Sequence, residues 1–152
     1  MTRLKPQRAG IPLPEPTPVS RTFWDGCAGG ELRYQRCETC GAAQFDPVLL
    51  CRCCGADTLS WQVSAGLGSV YSHTVVHRPQ TPAFDVPYAV VLVAFDEGFH
   101  LLTNLVSADV ADVRTGLRVR VTFADVGGGI CLPYVEPTYV EPAAVPADAE
   151  RS

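Results

Sequence analysis

A chain of 152 residues buries roughly 68–70% of its unfolded surface, so it builds a core without disulfide staples, and its 18% charged content leaves apolar surface for a partner to cover. A formal net charge of −4 argues against phosphate backbones as the main target. The longest apolar run, Tyr88 to Phe95, is too short to span a bilayer, and the first twenty residues carry five prolines and no apolar signal segment, so a cytoplasmic protein without membrane attachment is expected.

Residues 1–18 read as a proline-punctuated leader (Pro6, Pro12, Pro14, Pro16, Pro18), extended or disordered. Residues 19–36 hold a short helix, Arg21 to Ala28, capped by Ser20 and stopped by Gly29-Gly30, then a lead-in strand in which Leu32 and Tyr34 alternate with polar neighbours. From Trp61 onward the pattern is β. Strands are expected over Gly66 to Val76, Tyr88 to Phe95 and His100 to Val106, with a tight Asp96-Glu97-Gly98 turn between the last two. A single helical turn between Ser107 and Arg114, capped by Ser107 or Asp109, precedes a fourth, half-buried strand, Leu117 to Asp125. Gly127-Gly128-Gly129 turns into a fifth, Ile130 to Val135; no helix follows, so it is a hairpin turn and not a phosphate loop. Five strands with a helical insert between the third and fourth predict an OB-fold barrel over 61–136, with a flexible tail over 137–152.

Five of the seven cysteines fall between Cys37 and Cys54. Cys37-Glu-Thr-Cys40-Gly41 and Cys51-Arg-Cys-Cys54-Gly55 repeat the form C-x-x-C-G, in which one tight turn presents two sulfurs and the glycine supplies the positive φ of the turn. Four thiolates suit one structural Zn²⁺ at about 2.3 Å each, with no open position for water or substrate. Residues 37–60 therefore read as a zinc ribbon, with Cys37, Cys40, Cys51 and Cys54 as ligands and Cys53 as a spectator. Elsewhere the signals are weaker. Cys27 and Cys131 read as small apolar residues. His73 and His77, four apart on a strand, share a face without an acidic partner, and Arg78 is either a solvated loop charge or a contact for a phosphate or carboxylate. Phe23 and Trp24 crowd a helix too short to bury both rings, and Phe84 sits among prolines in the Pro79–Pro87 loop. Exposed aromatics of this kind mark an interface or ligand channel.

Several strings in one order resemble a family. They are Phe23-Trp24-Asp25-Gly26, Gly30-Glu31-Leu32-Arg33 leading into the cysteine pairs, Gly68-Ser69-Val70-Tyr71-Ser72, and Val75-Val76-His77-Arg78-Pro79. Leu101-Leu102-Thr103-Asn104-Leu105 and Phe123-Ala124-Asp125-Val126-Gly127-Gly128 complete the set. Together they resemble the bacterial and archaeal acyl-CoA-associated proteins known as domain of unknown function 35; Cys53 departs from the proline or small residue common there. The resemblance implies a mainly β chain: short helix, rubredoxin-like zinc ribbon, then a five-stranded OB-fold barrel. It also implies a non-catalytic subunit of a thiolase-fold acyl-CoA enzyme, namely a thiolase, an acyltransferase or a lipid-transfer-protein aldolase of steroid side-chain degradation. The helix and barrel would help form the acyl-CoA channel of such a hetero-oligomer, with Phe23, Trp24, His77, Arg78, Phe84 and Tyr88 as candidates for acyl-CoA or partner contact. The competing reading is a nucleic-acid module, since ribbons and OB-folds also occur there. Between Trp61 and Glu136, four arginines stand against seven acids, 4 − 7 = −3, the wrong sign for a groove that tracks a phosphate backbone.

Overall fold

The computed structural model describes residues 2–140. Helix α1 spans Arg21–Ala28, followed by β1 (Arg33–Cys37), β2 (Ala43–Gln44) and β3 (Leu59–Val63). These three strands form an antiparallel sheet in the order β2-β1-β3. Then come β4 (Leu67–Val76), β5 (Tyr88–Phe95), β6 (His100–Leu105), a 3-10 turn (Val110–Asp112), β7 (Arg118–Asp125) and β8 (Cys131–Pro137). These five strands close into a barrel in the order β4-β5-β6-β8-β7. The mainly β fold class expected from the sequence is the one observed, and strand limits differ from expectation by one or two residues.

Alternation explains the barrel. On β5 the inward residues Ala89, Val91, Val93 and Phe95 are buried and the residues between them half-buried, as a strand with one face in a core requires. β7 closes on β4 through Leu67↔Arg120, Gly68↔Val119 and Ser69↔Arg118. At Gly68 the strands approach so closely that a Cβ would lie 2.6 Å from the Ala94 carbonyl oxygen, so this site takes only glycine. The expected helical insert is reduced to the 3-10 turn, capped reciprocally by Asp109 and Asp112. A register shift between Val70 and Ser72 accompanies an exposed Tyr71.

Three expectations are corrected. Ser20 precedes α1 but makes no side-chain cap; its hydroxyl accepts the Thr17 N–H at 2.8 Å, so the turn at Thr17 starts the helix. Phe23 is buried, at 5% exposure, because the ribbon supplies Phe45 against it; Trp24 is half-buried. The described part of the 1–18 leader, residues 2–18, is extended but not disordered. Leu4 is 1% exposed, its N–H donates to the Ala108 carbonyl at 2.7 Å, and its carbonyl accepts the Ser107 N–H at 2.9 Å. Proline forbids a helix and a central strand here, yet an extended chain still lays Leu4, Gln7 and Ile11 onto the barrel, where all three are buried. At the other end, Pro137 belongs to β8 and is fully buried; most of the expected tail, 141–152, lies outside the described residues.

Leu4→Ala should therefore cost about 2–5 kcal/mol in a urea unfolding titration, the range for emptying a buried leucine site. A loss within about 0.5 kcal/mol, typical of surface substitutions, would mean the leader is not part of the fold.

Candidate metal centre and apolar groove

The two cysteine turns are built alike. In the first, the Cys37 N–H donates to the Ala42 carbonyl at 2.9 Å and the Gly41 N–H to the Cys37 carbonyl at 2.8 Å. In the second, Cys51 N–H donates to Ala56 at 2.8 Å and Gly55 N–H to Cys51 at 2.9 Å. Gly41 and Gly55 share a φ of +77°, which L side chains rarely adopt. The pairs face one another, Cys37 Sγ lying 3.6 Å from Cys54 Sγ and Cys40 Sγ 3.7 Å from Cys51 Sγ. All four sulfurs lie within 4.8 Å of one another. A tetrahedron of thiolates around zinc at about 2.3 Å has edges of about 3.8 Å, so the donor set and its size suit that ion. Backbone N–H groups already point inward. Cys37 is lowered to about 6, first by the Cys40 N–H and then, against burial, by the Thr39 N–H and the Thr58 hydroxyl. Cys51 is lowered as well, first by the Cys54 N–H. Cys40 is pushed the other way, up to about 12: the Ala42 N–H lowers it, but burial and hydrogen bonds to the neighbouring cysteine sulfurs outweigh that. Cys54 is raised as well. Two of the four sulfurs thus favour the thiolate, and the other two hold their protons unless a cation balances the charge. Cys53 is exposed and outside the cluster; its N–H reaches Cys51 Sγ at 3.4 Å. Outside this centre, Cys27 is pushed up to about 12 by burial and then by the neighbouring Cys131, which leaves it a protonated, inert thiol.

An apolar groove of about 530 Å³ lies where leader, helix, ribbon and barrel meet. Leu13 and Pro14 of the leader, Trp24 of α1, Phe45 beyond β2, Phe84 of the β4–β5 loop and Leu102 of β6 are among its walls, and among the described residues no charged one lines it. Phe23, Trp24 and Phe84 are thus brought together as one lining. Tyr88 stands beside Phe84 with ring centroids 6.2 Å apart, outside the lining. His77 and Arg78 follow the end of β4, exposed and likewise outside it. The sequence reading missed Gln7, Ile11 and Leu13 because prolines around them read as disorder, and Phe45 and Leu102 because neither stands out in its strand or loop. The recurrence of Leu4, Ile11 and Leu13 among the prolines was the available signal.

Cys37→Ser and Cys54→Ser should each abolish the binding of about one zinc per chain, measured by metal analysis, and destabilise the ribbon. Cys53→Ser should keep it. Retention by Cys54→Ser with loss in Cys53→Ser would reverse the ligand assignment.

Residues 24–60 match the family model described as the rubredoxin-like zinc ribbon domain of ChsH2, and residues 61–124 that described as the ChsH2 C-terminal OB-fold domain. The chain is 38% identical over 103 residues to the 3-oxo-4,17-pregnadiene-20-carboxyl-CoA hydratase alpha subunit of Mycobacterium tuberculosis, covering 68% of this chain and 33% of that protein. It is 29% identical over 90 residues to a DUF35 domain-containing scaffold protein of Methanocaldococcus jannaschii, covering 58% of this chain and 64% of that one. The chain spans about a third of the length of the hydratase subunits it matches. A solved structure described as the Ltp2-ChsH2(DUF35) aldolase superposes with a TM-score of 0.75 at 31% identity, over 82% of this chain and 98% of that one. With its paired cysteine turns, its barrel and these matches in one register, the chain belongs to the DUF35 family of zinc-ribbon/OB-fold proteins, of the ChsH2 type.

Proposed function

We propose that this chain is a non-catalytic accessory subunit of a thiolase-fold acyl-CoA enzyme (a thiolase, an acyltransferase or a steroid side-chain aldolase) and that it helps form the partner's acyl-CoA channel. The observation that carries this reading is the groove: aromatic, uncharged, and walled by four separate parts of the chain. Among the described residues its one ionisable lining group is Tyr134, whose hydroxyl is pushed up by burial, and these residues bring no acid/base pair to the groove. It suits an apolar acyl group or a partner's side chains, and the reacting groups would come from the partner.

Cys37, Cys40, Cys51 and Cys54 are the proposed zinc ligands; a fully thiolate-ligated ion supplies folding energy to the ribbon. Exposed apolar side chains continue from the groove along the barrel: Leu102 at 67% and Tyr71 at 63% exposure. Such a surface favours a protein partner over water. The matches to a subunit of a CoA-thioester hydratase and to an aldolase support the substrate class. His77, Arg78 and Tyr88, outside the groove, are the proposed contacts for the anionic part of the thioester or for carboxylates of the partner. Among the described residues Arg78 has no ion pair.

Trp24→Ala should weaken assembly with the thiolase-fold partner by ~2 kcal/mol, a factor of about thirty in Kd, as for a buried aromatic anchor, with zinc content unchanged. Calorimetric titration of the two purified chains measures it. Equal affinity of the variant and the parent would count against the groove as the docking or channel surface.

A further inference from the structure

Two glutamines are buried, Gln7 at 6% and Gln35 at 5% exposure, and both make the same contact. Gln35 donates from Nε2 to the Val48 carbonyl at 3.0 Å, and its Oε1 accepts the Val48 N–H at 2.9 Å. Gln7 donates from Nε2 to the Asp85 carbonyl at 3.0 Å, and its Oε1 accepts the Asp85 N–H at 2.8 Å. In each case a side-chain amide takes the place of a neighbouring strand, satisfying both polar groups of one loop residue. The Gln35 pair is internal to the ribbon. The Gln7 pair joins the leader to the β4–β5 loop, which carries Phe84.

Each side of that joint is held differently. The leader is fixed by packing on both sides of Gln7. Leu4 is bonded to Ser107 and Ala108, and Ile11 sits in a small core with Val126 and Ile130, against which Trp24 and Phe84 pack. Leu13 lies against Gly128, where a Cβ would come within 2.8 Å of Leu13 Cδ1. The loop has much less. Its own bonds are the Phe84 N–H to the Thr81 carbonyl at 3.2 Å and the Ala83 N–H to the Thr81 hydroxyl at 3.3 Å. The Arg8–Asp85 ion pair is exposed on both sides, at 69% and 48%, and contributes little. An exposed loop with few internal bonds opens unless something ties it down.

We infer that Gln7 is a positioning residue of the groove: its amide pairs with the backbone of Asp85 and so holds the 79–87 loop, with Phe84, closed against the leader and Trp24. Access to the groove is then set by a leader residue of its own lining, 78 positions from the loop residue it holds. The inference rests on the groove being the working site, but its test needs neither partner nor thioester, so it stands or falls separately from that reading.

The test uses full-length chain carrying Trp61→Phe, which leaves Trp24 as the single tryptophan, since the chain has two. Acrylamide quenching of Trp24 and hydrogen exchange over residues 79–87 are compared in the parent, Gln7→Leu and Asp85→Ala. Gln7→Leu keeps the volume and loses the pair; quenching should rise about twofold and exchange over 79–87 about tenfold, the scale of two lost hydrogen bonds, while exchange in the ribbon stays unchanged. Asp85→Ala keeps the backbone groups and should behave like the parent. Gln7→Glu, the same shape with the donor removed, gives the same reading if Gln7→Leu does not fold. Parent-like quenching and exchange in the Gln7 variants would overturn the inference. So would an equal rise in Asp85→Ala, which would assign the closure to the ion pair, or a rise spread evenly over the whole chain, which would make Gln7 a general stabiliser.

Discussion

Phe99 is the contact on which the arrangement of the parts depends. It follows the β5–β6 turn and stacks on Tyr34 of the ribbon, Phe95 of the barrel and Phe45 beyond β2, with ring centroids 4.7, 4.9 and 6.0 Å away. Phe45 continues edge-on to Phe23 at 5.0 Å, and Phe23 edge-on to Trp24 at 4.9 Å. One aromatic column therefore runs from barrel through ribbon to helix. Offset and edge-on pairs of this kind add about 0.5–1.5 kcal/mol each beyond the area they bury, and they fix relative orientation as well. The same turn ties down the linker between ribbon and barrel. Glu97 accepts the Ser64 hydroxyl at 2.8 Å and the Ala65 N–H at 2.7 Å, and its carbonyl receives Arg36.

That column determines why the ribbon matters to a groove it only partly lines. A three-stranded sheet with one strand of two residues has no core of its own; the four-thiolate centre holds its far end and Phe99 its near end. Losing either would release Phe45, and with it one wall of the groove and the support beneath Phe23. A metal held by the four thiolates would thus act at a distance, through packing, on the groove surface. The leader supplies the opposite wall by a different device, backbone pairing at Leu4 and a side-chain amide at Gln7. The described residues of the cleft are uncharged and come from four separate parts of the chain, which is what the proposed accessory role requires.

Much of this was legible in the sequence because its signals are local. The C-x-x-C-G repeats carry spacing and turn geometry in five residues, and β5 and β7 carry their period in eight. The family strings fixed the order of the parts. What stayed illegible depends on contacts between distant segments. Nothing near Phe23 announces that Phe45 will cover it, so its burial was missed while half-buried Trp24 fitted expectation. Phe99, a single apolar residue after a turn, carries no local signal of the rings it stacks on. The leader misled most, because proline excludes helix and sheet but not an extended strap lying on a barrel, and the backbone partner of Gln7 is 78 residues away. His77 and Arg78 stood out as polar residues before a proline-rich loop, yet the groove formed without them, since a surface selected for apolar contact is lined by residues with no sequence signature.

In the proposed function the groove completes a partner's acyl-CoA site and the chemistry belongs to the partner. Turnover of an acyl-CoA thioester by the purified thiolase-fold partner, measured with and without this chain, tests it most directly. Negligible turnover is expected from either chain alone and full turnover from the complex, with activity lost when the added chain carries Trp24→Ala at concentrations that no longer assemble. Full activity of the partner alone, or cleavage of the thioester by this chain alone, would contradict it.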